Sequence, residues 1–292
     1  MYYEEDCTQG QIADQLQVSR PLVSRMLREA RELGIVEIRV HALADDAETR
    51  LERLCMQFGL QGGVLISEED TDSRIDRNLA ERLLEYVETQ RPAVLGIGWG
   101  DVIGSLTELL ERTQPHLTSV QTVCPLVGNS SVASRRYHTD ENVRIIAKSM
   151  CAQPKYLHAP AFFEDEEDRS WLYATRHYRE IAEQWDQMDI ALIGIQDTTA
   201  AGEVDYPLTL YDGTVGHLVA YTYDIDGQFI RPERDCVAHI PLEKLLRCRQ
   251  VIGLCAADVS PQALLGALRT GVLTHLFARE SLVDAVLNEA MP

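Results

Sequence analysis

Long apolar runs are missing from this chain. No stretch reaches the roughly 18 residues that a membrane-spanning helix needs, and the opening MYYEEDCTQG has no basic-then-apolar leader. A helical membrane protein is excluded, no membrane partner is expected, and a cytoplasmic location follows as the default. Paired cysteines are missing too. The seven (Cys7, Cys55, Cys124, Cys151, Cys236, Cys248, Cys255) are odd in number and scattered, with no C-x-x-C pair. That excludes a disulfide framework and predicts reduced thiols, mostly buried as small apolar groups. Cys236 and His239 have metal-ligand spacing but stand alone in a strand-like stretch, so no metal site is expected. Catalytic signatures are lacking as well: there is no G-x-S-x-G elbow and no H-E-x-x-H, and the eight histidines are dispersed. No cofactor is expected.

Positive charge is scarce, with a formal net charge of −19 over 292 residues. Residues 1–40 hold five arginines and no lysine against seven acidic residues. Yet Arg20, Arg25, Arg28 and Arg31 fall close together in VSRPLVSRMLREARELGIVEIRV, opposed only by Glu29 between Ser19 and Arg31. The cationic patch is local and its surroundings are acidic.

What surrounds that patch explains it. Thr8-Gln9-Gly10-Gln11 has the form of a capping box opening a short helix, with Ile12, Ala13 and Leu16 as its apolar face. Leu16-Gln17-Val18 makes a tight connection, and Ser19 caps a second helix with Pro21 in its first turn. Val23, Met26, Leu27 and Ala30 recur at three- and four-residue spacing and are expected inside. Arg20, Ser24, Arg25 and Arg28 then project outward; Gly34 ends the helix, and Ile35–Val40 alternates as a wing strand. A solvated bundle helix would need none of this ensemble, whereas a winged helix-turn-helix needs all of it, its second helix entering the major groove. The DNA-contacting set is therefore Thr8, Gln9, Ser19, Arg20, Pro21, Ser24, Arg25 and Arg28. An acidic body repels the duplex everywhere else, which orients docking. One such helix makes few phosphate contacts, so a dimer or higher oligomer on paired half-sites of double-stranded operator DNA is implied.

Asp45 to Gln57 reads as a helix with Leu51, Leu54 and Phe58 on one side, a connector to the body. The organisation is a reader at 1–42, a linker helix at 43–60 and a ligand-binding and oligomerisation domain at 61–292. Strands are expected at Gly63–Ser67, Ala93–Gly98, Val120–Val127, Lys155–Ala159, Asp189–Ile195, Gly216–Tyr223, Val251–Ala256 and Leu273–Phe277. Helices are expected at Ile75–Val87, Asp101–Arg112, Glu141–Cys151, Arg169–Trp185, Pro261–Leu268 and Glu280–Leu287. This alternation predicts an α/β, Rossmann-like doubly wound domain with a largely parallel sheet. Gly216–Tyr223 followed by Asp224–Gly227 reads as a hairpin with an Asp-Gly turn, and EDEEDR (Glu164–Arg169) as a solvated acidic helix start.

In such sheets ligands bind past the carboxyl ends of the strands. GIGWGD (Gly96–Asp101) follows a strand and opens a helix, with N–H groups suited to an anion or sugar hydroxyls, but it lacks the full dinucleotide fingerprint. Trp99 is a packing group or lines a pocket. VGNSSVASRRYH (Val127–His138) ends another strand and carries Arg135 and Arg136, either solvated or on an anion. YDGTVGH (Tyr211–His217) is a further glycine-bearing loop.

Together these stretches resemble the SorC family of bacterial sugar-responsive transcriptional regulators. The likeness begins with the N-terminal motif and continues in order through LGIGWGD, PLVG, LHAP, DIALIGI, GTVGHLVAYTYDIDG and VIGLCAADVSPQALLGAL. The resemblance implies a tetramer-forming repressor or activator whose C-terminal domain is similar to sugar-phosphate isomerases and glucosamine-phosphate deaminases and binds a phosphorylated sugar. Carried over position by position, it implies effector contacts at Gly98, Trp99, Gly100, Asp101, Gly128, Asn129, Asp224, Ala257 and Ser260. Two departures matter. Where the family has Gly-Gly and a lysine after the penultimate strand, this chain has Ala256, Ala257 and Ser260; where a threonine follows Gly-Trp-Gly, it has Asp101 and Val102. The effector is then either less charged than usual or held by Arg135 or Arg136. The competing expectation is an isomerase or deaminase with an added N-terminal module, in which Asp101 and Asp224 would be the acid and base.

Overall fold

The computed structural model describes residues 2, 7–32, 45–67, 72–113, 120–197, 212–231 and 236–289. The chain divides into two compact units, residues 1–44 and 45–292.

In the first unit α1 (Gln9–Leu16) and α2 (Arg20–Glu32) pack on each other. The Thr8 hydroxyl accepts from the Gln11 N–H at 3.3 Å while the Gln11 side chain accepts from the Thr8 N–H at 2.9 Å, a complete capping box. Gln17 takes the left-handed conformation (φ 53°) and closes α1. The Val18 N–H returns to the Ala13 carbonyl, and the Ser19 carbonyl then accepts from Leu22 and Val23 to start α2. Ile12, Ala13 and Val23 are buried, with Cys7, Val18 and Leu27 packed around them. Met26, expected inside, is 53% exposed. It stands about 100° round the helix from Leu27, and a contact between two short helices is too narrow to cover both. The side chain of Ala30, together with Gly34 and the wing at Ile35–Val40, lies outside the described residues.

The second unit runs α3 (Asp45–Phe58), β1 (Gly62–Ile66), α4 (Asp72–Gln90), β2 (Val94–Ile97), α5 (Asp101–Thr113), β3 (Thr122–Pro125), a 3-10 turn at Arg135–Tyr137, α6 (Thr139–Ser149) and β4 (Gln153–Pro154). It continues with α7 (Glu166–Ala174), α8 (Arg176–Asp186), β5 (Ile190–Asp197), β6 (Thr214–Leu218), β7 (Tyr221–Asp224), α9 (Leu242–Leu245), β8 (Gln250–Cys255), α10 (Pro261–Arg269), β9 (His275–Arg279) and α11 (Glu280–Glu289). The sheet order is β1-β9-β8-β5-β2-β3-β4, parallel throughout, with β6 antiparallel to β5 and β7 to β6. β2, β5 and β8 are buried along nearly their whole length, which is why they read as continuous apolar runs. α4, α5 and α6 pack side by side, as do α10, α11 and α3. Right-handed crossovers put connections that run in opposite directions along the sheet on opposite faces.

Three expected elements differ. Lys155–Ala159 is not a strand: the Asp140 carboxylate takes the Leu157 and His158 N–H groups at 3.1 and 3.0 Å, so those donors leave the ladder. Arg169–Trp185 is two helices, because the Thr175 hydroxyl accepts from the Tyr178 N–H at 3.1 Å and caps a new start. Gly216–Tyr223 is itself a hairpin, β6 and β7 joined through Val219–Ala220, with Val219 at φ 59°. The Asp224–Gly227 turn follows as a second reversal, closed by an Asp224 N–H to Gln228 carbonyl bond of 3.1 Å.

α3, expected as a connector, is built into the second unit. Leu54 is fully buried in its core, and Arg50 binds Asp284 at 2.8 Å and Glu280 at 3.3 Å on α11. Leu54→Ala should therefore lower the unfolding free energy of the body by about 2–5 kcal/mol. Urea denaturation measures this, and a loss under about 1 kcal/mol would contradict such packing.

Candidate functional site

Strand order reverses between β2 and β5. From β2 the chain moves outward to β3 and β4; from β5 it moves the other way, to β8 and β9. In sheets of this topology a ligand crevice lies beyond the carboxyl ends of the two neighbours at such a reversal. Its floor is backbone against backbone. The Gly98 N–H donates to the Leu192 carbonyl at 2.9 Å, and a Cβ on Gly194 would lie 2.5 Å from the Trp99 carbonyl oxygen. Gly100, at φ 126°, makes the turn into α5.

Polar groups converge here. Asp101, in the first turn of α5, forms an ion pair with Arg136. On β5, Gln196 donates to the Tyr137 hydroxyl at 3.0 Å and its carbonyl meets His217 Nε2 at 2.7 Å. Burial pulls the His217 imidazole down to about 3 against the charge of Asp197, so the ring is neutral at physiological pH and Nε2–H is the donor. Burial pushes the Tyr137 phenol up to about 12, with Asp101 adding to the rise. Asp197 accepts from the Ser260 N–H at 3.2 Å, and Asp76 on α4 accepts from the Ala257 N–H at 3.0 Å. Burial raises Asp76 to about 6, Asp101 and Asp258 adding to the rise while the Ala257 N–H and Arg136 oppose it. Asp258 is raised by the same causes, burial first and then Asp101 and Asp197. Asp76, Asp101 and Asp258 thus share the field of Arg136.

The structure brings Gly98, Gly100, Asp101, Arg136, Ala257 and Ser260 to this crevice. Trp99 is buried beside it: it is 1% exposed, stacked on Phe162 at 6.1 Å and edge-on to Tyr137 at 6.0 Å. Arg135 is exposed and bonds Glu111 at 2.6 Å, near the far end of α5. Gly128 and Asn129 form a neighbouring loop whose N–H groups go to Ala238 and Ala159, and both ends of the Asn129 amide are held by Asp140. Asp224 is not brought in: its carboxylate accepts from Asp226 and Gln228 in its own turn, and its carbonyl lies against Gly266 in the later half of α10. Sequence reasoning missed Asp76, Gln196 and Asp197, while Tyr137, His217 and Asp258 lie in stretches it singled out without naming them. The signal for Gln196 and Asp197 was there, since polar residues ending an apolar parallel strand sit where ligands bind. Asp76 lies one helical turn into α4 and looks like any solvated helix residue.

In the first unit Thr8, Ser19, Arg20, Pro21 and Arg25 are exposed, and Gln9 and Ser24 half-buried. Arg28 is on α2, its side chain outside those described. Among the described residues no group of three or more His, Cys, Asp or Glu could hold a metal ion, and no helix is long and apolar enough to cross a membrane.

Residues 44–288 match the family described as "Putative sugar-binding domain". The sorbitol operon regulator of Klebsiella pneumoniae is 27% identical over 309 residues, 98% of this chain and 95% of that protein. The chain belongs to the SorC family of sugar-binding transcriptional regulators. A further relative, the deoxyribonucleoside regulator of Bacillus subtilis, is 30% identical over 198 residues, 67% of this chain and 62% of that one. The crystal structure of the full-length Klebsiella regulator SorC superposes with a TM-score of 0.73 at 23% identity, covering 98% of this chain and 95% of that one. A transcriptional regulator from Streptococcus pneumoniae superposes with a TM-score of 0.74 at 19% identity, covering 84% of this chain and 98% of that one. These likenesses establish the Rossmann-like SorC fold. The relatives are regulators, so the enzyme alternative is set aside.

The raised Asp76 carboxyl has a sign that can be measured. The folded state holds its proton up to about 6, against 3.8 ordinarily, so the stability this group contributes is present at low pH and lost as pH rises through about 6. Relative to wild type, Asp76→Asn should gain unfolding free energy as pH rises from 4 to 7 and level off above. A pH-independent difference between the two denaturation series would contradict the burial of this charge.

Proposed function

We propose that this SorC-family chain binds operator DNA through α2 and that a sugar-class effector in the β2/β5 crevice controls operator affinity. The observation that supports this most is the pairing, in one chain, of a capped two-helix unit presenting Arg20 and Arg25 with a strand-order reversal edged by glycine loops inside the matched sugar-binding region. The residues that would read DNA are Thr8, Gln9, Ser19, Arg20, Pro21, Ser24, Arg25 and Arg28. An exposed arginine on such a helix can bind guanine O6 and N7 bidentately, worth about 1–3 kcal/mol of discrimination. The effector would meet Gly98, Gly100, Asp101, Arg136, Ala257 and Ser260, with Asp76, Gln196 and Asp197 beside them.

Control works by population shift. An effector that prefers one arrangement of paired subunits changes the spacing of two recognition helices, and about 1.4 kcal/mol of coupling gives a tenfold change in operator affinity. This needs a dimer or tetramer on paired half-sites, in the cytoplasm where operators are. The names of the relatives, sorbitol operon and deoxyribonucleoside regulators, support a carbohydrate catabolic operon as the target.

Arg25→Ala tests the reader. Selection of bound fragments from a random DNA pool should return specific sites for wild type and none for the variant, with melting temperatures nearly equal. A variant that enriches the same sites with the same preference removes Arg25 from the interface.

A further inference from the structure

At the amino ends of β2, β5 and β8, the end of the sheet opposite the crevice, the chain leaves a hollow of about 190 Å³ lined by Gln90, Arg91, Asp189, Arg249 and Gln250. Pockets for drug-sized ligands run to roughly 300–1,000 Å³, so this one suits a small ion or a single functional group. Three loops meet there: Arg91 and Pro92 between α4 and β2, Asp189 just before β5, and Arg249 just before β8. The sheet fixes them against one another. The Asp189 N–H donates to the Val94 carbonyl at 3.0 Å, and the Gln250 N–H to the Asp189 carbonyl at 3.0 Å.

In a chain of net charge −19 this hollow holds cations that the protein itself does not neutralise. Among the described residues, neither the Arg91 nor the Arg249 guanidinium has a hydrogen bond or ion pair, whereas Arg50, Arg77, Arg82, Arg136 and Arg144 each bind a carboxylate. The charge of Arg249 reaches the Tyr86 phenol at the same edge, opposing the rise that burial gives it. Arg91 follows the end of α4 at φ 48°, a left-handed position that glycine fills most easily. Folding alone would not favour arginine there. Gln250, 8% exposed, accepts from the Tyr86 hydroxyl at 3.2 Å and donates to Gln90 Oε1 at 3.3 Å, which leaves the second hydrogen of its amide without a partner among the described residues. Asp189 Oδ2 takes the Ala93 and Val94 N–H groups at 2.7 and 3.1 Å, and its Oδ1 has no partner among them. Guanidinium forks and an amide hydrogen receive the charged oxygens of an oxyanion. A lone carboxylate oxygen repels such an ion unless the ion has a proton to donate. Near neutral pH a phosphate or phosphate monoester is partly protonated, whereas sulfate and phosphodiesters have no proton to give.

We infer that this hollow is a phosphate site. Arg91, Arg249 and Gln250 hold the charged oxygens of a phosphate or phosphate monoester, and Asp189 Oδ1 accepts the remaining P–O–H hydrogen and so rejects oxyanions without one. The site lies at the other end of β2, β5 and β8 from the crevice, and it stands whether or not the crevice receives the effector.

Calorimetric titration of the full-length protein with inorganic phosphate, methyl phosphate and sulfate tests this, at about pH 6, where a phosphate monoester is half protonated. Phosphate should bind as one ion per chain, about tenfold or more tighter than sulfate. Methyl phosphate that binds as well as the free ion supports a monoester as the ligand, and methyl phosphate that binds much more weakly supports the free ion. Arg91→Gly removes the guanidinium yet fits the left-handed backbone, so without phosphate its Tm should equal or exceed that of wild type, while phosphate affinity falls about tenfold or more. Arg249 is exposed, and Arg249→Ala should lose as much. Asp189→Asn keeps an oxygen for the Ala93 and Val94 N–H groups and turns a donor to the hollow, so the gap between phosphate and sulfate should close. The inference is overturned by any of four results: no phosphate binding at millimolar concentration, sulfate binding as tightly as phosphate, unchanged phosphate affinity in either folded arginine variant, or an unchanged gap in folded Asp189→Asn.

Discussion

The carbonyl oxygen of Trp99 lies 2.5 Å from where a side chain on Gly194 would begin. That approach is possible only because β5 carries glycine at the level where the chain leaves β2. It lets Gly98 bond the Leu192 backbone and brings Gly100, just before the start of α5, to where a side chain on it would begin 3.9 Å from the Gln196 amide nitrogen. β6 then pairs with the edge of β5 beyond the point where β2 turns away, carrying His217 back against Gln196. Remove that close approach and neither the α5 start nor the polar cluster keeps its place.

Two opposite uses of charge follow from one acidic composition. In the first unit Arg20 and Arg25 are exposed, which suits a groove lined with phosphates. In the second unit Arg136, already paired with Asp101, acts on both Asp76 and Asp258. Carboxylates there cap the protein's own N–H groups, a task that backbone N–H groups of this kind perform for anionic ligands in other helix starts. A regulator can thus be strongly acidic and still read DNA, because its two kinds of partner meet surfaces of different charge.

Much of the architecture was legible because burial on both faces leaves strands as apolar runs and single-sided burial leaves helices with a stripe. β2, β5 and β8 were found on that basis within a residue or two. The failures have individual causes. Lys155–Ala159 has a strand's composition, but Asp140, far earlier in the chain, captures its N–H groups. Thr175 breaks a continuous amphipathic pattern by capping, which periodicity does not register. Val219–Ala220 turns without a turn residue, since pairing between β6 and β7 holds Val219 at a positive φ. At the crevice, Asp101 and Arg136 were singled out in advance but as separate alternatives, and Asp76 was not seen at all.

By itself the sequence determined the capping box, the local arginine face, the parallel α/β alternation and the glycine loops that carry the family likeness. Each is set by neighbours within a few residues, where propensity and periodicity act. Only the tertiary structure decided that Arg136 is spent on Asp101, that Arg135 is turned away to Glu111, and that Asp76 and Asp197 fill the loop before α10. Those pairings join residues 24, 35, 63 and 181 positions apart, and contacts of that span exist only once the sheet order has brought the carboxyl ends of β2, β5 and β8 together.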